Sequence, residues 1–114
     1  MITLRVVEDG PHIRGFVVTG HAGYAEAGRD IVCAAVSALV YNAINSCERF
    51  AGIALEVTDD GERLQCRVPP PGEDAKVQLL LHSMVFGVEQ TAAAYPEHVR
   101  VVRRRSGRHG VRST

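Results

Sequence analysis

An α/β (α+β) fold with the element order β-β-α-β-β-α-β is predicted by three features of this 114-residue chain. Two pairs of short, β-branched runs are each joined by a turn containing Asp-Gly. Each pair is followed by a long segment with apolar residues at helical spacing. A final strand-like run comes after a proline that stops the second helix. Two hairpins and two helices point to an antiparallel-rich sheet with both helices packed on one face. The length fits a single domain over residues 1–105, with 106–114 as a flexible basic C-terminal tail.

Residues 2–8, ITLRVVE, alternate in polarity and predict the first strand. Asp9-Gly10 is the turn, and HIRGFVVT (12–19) is the returning strand. A loop bearing Gly20, Gly23 and Gly28 follows. Asp30 is predicted as the N-cap of a helix from Ile31 to about Arg49, with Gly52 as its C′ residue. ALEVT (54–58) and ERLQCRV (62–68) form the second hairpin around DDG. PPPGED (69–74) is a rigid connector. The second helix spans about 74–95, with one apolar face at 77, 80, 81, 84, 88, 92 and 95. HVRVVRR (98–104) is the last strand.

The first helix carries apolar residues around most of its circumference, including Ile31, Val32, Ala34, Ala35, Val36, Ala38, Leu39 and Val40. Such a helix is expected to be buried on more than one side, by tight core packing or by a subunit interface.

Charge is unevenly divided. Residues 1–97 hold seven basic and thirteen acidic groups, whereas Arg100, Arg103, Arg104, Arg105, Arg108 and Arg112 follow with no acid among them. The Arg-rich C-terminus is a candidate nucleic-acid contact, set against a plain solvated strand and frayed tail. Three cysteines, Cys33, Cys47 and Cys66, show no CxxC spacing, which argues against a disulfide framework or a zinc knuckle. Cys33 and Cys47 lie on one predicted helix, roughly 21 Å apart at 1.5 Å per residue, too far to pair. No signal peptide opens the chain, and the apolar run 31–44 is short and interrupted by Ser37 and Asn42. A soluble cytoplasmic protein without membrane contact is expected.

The chemistry centres on GHAGYAEAGRDIVCAAVS (20–37). With Asp30 as N-cap, Cys33 stands at N3, near unpaired backbone N–H groups and the positive end of the helix dipole. That setting favours thiolate over thiol. The same amides can hold a developing oxyanion. His21 precedes Cys33 by eleven intervening residues, enough for the loop to fold back and place an imidazole beside the sulfur. Gly20, Gly23 and Gly28 let that loop open and close. Taken singly, Cys33 also fits a small buried hydrophobe and His21 a loop histidine bonded to backbone. Asp30 acts as cap alone or also orients His21, and Ser37, one turn after Cys33, bonds the sulfur, a substrate or the preceding turn. Metal ligation by His21, Asp30 and Cys33 would need further ligands from His82 or His98, and no pair has ligand spacing, so no metal is expected. His12 and His109 read as surface residues, and Cys47 and Cys66 as core.

These residues closely resemble the ribosomal-processing cysteine proteases of bacteria. The matching blocks are Gly20-His21-Ala22, Tyr24, and Asp30-Ile31-Val32-Cys33-Ala34-Ala35-Val36-Ser37. A second block, LLLHSMVFGVEQTAAAYPEHV (79–99), resembles the family's second helix and its Tyr-Pro ending. The resemblance implies a homodimeric endopeptidase that needs no cofactor. It would remove an N-terminal extension from the twenty-seventh protein of the large ribosomal subunit, cutting after Phe and before Ala. It maps the catalytic pair onto His21 and Cys33, supporting roles onto Asp30 and Ser37, and a mobile cover onto residues 22–29. The Arg-rich end lies outside that pattern. Two other classes compete with this expectation. One is a non-enzymatic ribosome-associated or RNA-binding module carried by the arginines, although the chain has few aromatic residues. The other is a thiol redox sensor at Cys33.

Overall fold

In the computed structural model, residues 1–20 and 27–106 are described, with side chains of the first helix described from Ile31 onward. The elements are β1 (Ile2–Asp9), β2 (His12–Thr19), α1 (Ala27–Ala51), β3 (Glu56–Asp59), β4 (Arg63–Arg67), α2 (Ala75–Ala94) and β5 (Val99–Arg105). This is the order expected from the sequence. The five strands make one sheet in the order β3-β4-β2-β1-β5. β5 runs parallel to β1, and the remaining neighbours are antiparallel.

Strand alternation decides which face is dry. Ile2, Leu4 and Val6 of β1, Phe16 and Val18 of β2, and Leu64 and Cys66 of β4 are buried in one cluster. Val32, Val36, Val40, Ala43 and Cys47 of α1 and Val77, Leu81, Met84, Val85 and Val88 of α2 complete it. Both helices therefore cover the same side of the sheet. The helices approach closely at Gly87, where a Cβ would lie 3.0 Å from a Leu39 methyl.

β1 and β2 slip register between Val7 and Glu8, so that Arg14 is the extra residue of a bulge. Beyond that bulge β4 has ended, and the Gln78 side chain of α2 takes the position of a further strand residue. It accepts the Ile13 N–H at 2.8 Å and donates to the Ile13 and Gly72 carbonyls at 3.0 and 2.9 Å. Buried backbone polar groups need such partners.

Asp74 is the N-cap of α2, accepting the Lys76 and Val77 N–H groups. Gly52 closes α1 with φ 71° and its N–H on the Glu48 carbonyl at 3.1 Å, an αL cap as predicted.

Two expectations for α1 are corrected. The helix starts at Ala27, so Asp30 is its fourth residue and not its N-cap. Ala27 and Arg29 are good helix formers, and an acidic residue suits the first turn as well as the cap. Nor is α1 buried on several sides within the chain. Ile31 is 67% exposed, and Ala34, Ala35 and Ala38 are exposed with it. The segment Ile31–Ala51 is long and apolar enough to cross a membrane by length and composition, although 31–44 alone is not; here it packs one stripe against the sheet.

Candidate active site

Cys33 is the seventh residue of α1, in its second turn. It is half-buried and packs against the edge of the core. Its own N–H thus belongs to the helix ladder, and the N-terminal amides left over by α1 are those of Ala27, Gly28, Arg29 and Asp30. The expectation that Cys33 stands at N3 is corrected accordingly. Helical Cα–Cβ bonds tilt toward the N-terminus, so the sulfur still leans toward that first turn.

Ser37 and Tyr41 continue the Cys33 stripe at intervals of four residues along α1. Ser37 is half-buried and Tyr41 exposed. An apolar dimple lies beside them, lined by Val18 of β2, Val36, Ser37, Val40 and Tyr41 of α1, and Leu64 of β4. At its far end the Tyr41 hydroxyl donates to Asp59, the last residue of β3. That hydrogen bond to a carboxylate raises the Tyr41 pKa and keeps the phenol protonated. Sequence reasoning missed this pairing, because the two residues belong to different elements and share no motif.

Gly20 follows the last residue of β2, two residues beyond Val18. It has φ 85°, and a Cβ there would collide with the Met1 carbonyl oxygen. Gly20 therefore makes a turn against Met1 that only glycine fits. Gly28 belongs to the first turn of α1 rather than to a loop. His21, Gly23 and Tyr24 lie outside the described residues, as does the Asp30 side chain. What the structure joins is Val18, three residues before His21, and Ser37, one helical turn after Cys33, both lining one dimple.

Cys47 and Cys66 are buried thiols within the core, as read from the sequence. Burial pushes Cys47 up to about 11 and Cys66 up to about 12. Neither is a nucleophile near neutral pH. No group of three or more metal-ligating side chains occurs among the described residues.

A five-stranded mixed sheet under two helices, with one half-buried thiol near the start of the first helix, defines a two-layer α/β protein with a candidate thiol site. The cysteine protease Prp family model matches residues 1–100, and the chain belongs to that family. It is 36% identical over 94 residues to the ribosomal processing cysteine protease Prp of Bacillus subtilis, covering 78% of this chain and 84% of that one. The Staphylococcus aureus (strain Mu50) protein of the same name is 28% identical over 104 residues, covering 89% and 97%. A crystal structure from Streptococcus mutans superposes with a TM-score of 0.86 at 32% identity, covering 93% and 96%. The S. aureus protease in complex with a substrate peptide gives 0.84 at 25% identity, covering 91% and 100%.

Proposed function

We propose that this cysteine protease removes the N-terminal extension of the twenty-seventh protein of the large ribosomal subunit, cutting after Phe and before Ala in the cytoplasm. The observation that carries this reading is the match of residues 1–100 to the cysteine protease Prp family, with Cys33 a half-buried thiol in the second turn of α1. His21 takes the thiol proton, and the Cys33 sulfur attacks the carbonyl carbon after Phe. The negative oxygen of the tetrahedral intermediate is held by N–H groups of the first turn of α1, toward which the sulfur leans. His21 then gives its proton to the departing amine. Water, deprotonated by the same imidazole, releases the acyl group and restores the thiol. Asp30 orients His21, and Ser37 supports the thiol or the substrate from the next turn.

The same reading includes a homodimer. Leu79 and Phe86, two turns apart on the outer face of α2, are 71% and 62% exposed. Side chains of that size so far out of the core suit a protein interface.

A peptide spanning a Phe-Ala junction tests the proposal. Cleavage after Phe by the wild-type chain, its loss with Cys33→Ala, and its loss when the Phe is replaced by Gly are expected. Cleavage that ignores the Phe would remove the substrate assignment while leaving the thiol chemistry intact.

A further inference from the structure

The side of the sheet away from the helices carries a regular array of cations. Strand register defines it. Thr3 of β1 stands opposite Arg100 of β5 and Thr19 of β2, and Thr19 stands opposite Arg63 of β4. Four residues along, Val7 stands opposite Arg104 and Gly15, and Gly15 stands opposite Arg67. Directly paired residues share a face, so Arg63, Arg67, Arg100 and Arg104 occupy four corners of one rectangle. Its sides are about 13 Å along the strands, from four residues at 3.3 Å, and about 14 Å across three strand spacings. The middle row is Val102, Arg5, Val17 and Gln65.

The four corner arginines are exposed and Arg5 is half-buried. Four acids border the array, of which Asp59 and Asp60 line a depression with Arg63 and Gln65. Glu56 is engaged by Arg67 at 2.6 Å, and Asp9 by Arg14 at 3.2 Å. Among the described residues no carboxylate lies within ion-pair distance of Arg5, Arg63, Arg100 or Arg104. Arg100 is instead steadied by the Thr3 hydroxyl at 3.2 Å. Arg103, on β5 between Arg100 and Arg104, points the other way and is neutralised by Glu8 and Glu89. The face thus gathers basic residues from three strands far apart in sequence, with its acids confined to the β3–β4 edge and to Asp9.

We propose that this open sheet face binds duplex RNA through its phosphates. Cations separated by 13–14 Å reach phosphates of two backbones rather than neighbours on one strand. A depression of about 240 Å³ lined by Val7, Arg14, Gly15, Val17, Gln65 and Arg67 lies toward the Arg67 corner, and the small side chains between the corners leave room for a wide, shallow A-form minor groove. Among the described residues the face presents no aromatic ring for base stacking, which single-strand readers of sheet type depend on. Binding of this kind is independent of sequence and of the thiol chemistry.

The test is a titration of the full chain with a fluorescent RNA duplex of arbitrary sequence over a range of salt concentrations. Affinity is expected to fall with salt, and R63Q/R100Q to reduce the slope of log K against log salt by about two, one for each phosphate no longer held. R103Q, on the same strand as Arg100 but facing the helices, is expected to leave the slope unchanged. Circular dichroism confirms that each variant is folded. Absence of duplex binding, or an unchanged slope in R63Q/R100Q, overturns the proposal. Tighter binding of a single strand of equal length, or of poly-glutamate, also overturns it, in favour of another partner class. A slope reduced only in R108Q/R112Q overturns it as well, by moving the contact to the C-terminal end.

Discussion

The Gln78 side-chain amide closes on both backbone groups of Ile13, accepting its N–H at 2.8 Å and donating to its carbonyl at 3.0 Å. One polar side chain inside an apolar helix stripe thereby finishes a strand that β4 is too short to pair. Gln78→Leu keeps the volume but orphans the Ile13 groups and the Gly72 carbonyl. Each buried unsatisfied group costs on the order of 1–3 kcal/mol. A loss of about 3 kcal/mol in denaturant unfolding is expected, and a change below about 0.5 kcal/mol would contradict the role.

Gly15 carries a different constraint. It has an ordinary strand conformation, yet an added Cβ would lie 2.6 Å from the Cys66 carbonyl oxygen on β4. That contact is with backbone, so it cannot be relieved by rotating a side chain. Gly15→Ala is expected to force β2 and β4 apart and cost roughly 1–3 kcal/mol, the range for overpacking. Amide exchange in β4 should speed up ahead of exchange in β5.

The three thiols are expected to separate cleanly in reactivity. Cys47 and Cys66 are buried, with pKa values pushed up to about 11 and about 12 from 9.0. An unfolded chain ionises these thiols first, so the folded state loses stability as pH rises from about 9 toward 11 and 12, and is unaffected by them below 9. Denaturation midpoints measured from about pH 8 to about pH 11 should fall, and less steeply in a Cys47→Ala, Cys66→Ala variant. At about pH 8 a bulky disulfide reagent should label one thiol in the native chain, at Cys33, and all three after unfolding.

Much of this fold was legible because local chemistry and tertiary structure agree. The Asp9-Gly10 turn and the Gly52 cap each satisfy backbone groups within a few residues. The start of α1 was misplaced because Asp30 serves a first turn as readily as a cap, and nothing in residues 27–29 forbids helix. Cys33 and His21 stood out by pattern resemblance, whereas the helix terminus beside Cys33 lies about one turn earlier than the capping pattern placed it. Gln78, the Tyr41–Asp59 pair and the arginine array were not legible. Each depends on register between distant strands or elements, which apolar periodicity does not encode.

Dimerisation through α2 is checked by one substitution. Phe86→Arg is expected to leave the fold intact, since Phe86 is outside the core, and to convert a dimer into a monomer by sedimentation velocity. A dimer unchanged by that substitution would remove the outer face of α2 from the interface.

Cys33 and His21 are proposed to process a ribosomal protein precursor together. Intact-mass analysis after mixing this chain with the extended ribosomal protein of its own organism tests that proposal most directly. The wild-type chain should shorten the substrate by the mass of the extension ending in Phe, while Cys33→Ala and His21→Ala leave it whole. An uncut substrate beside folded wild-type protein, or full cleavage by Cys33→Ala, would contradict the account.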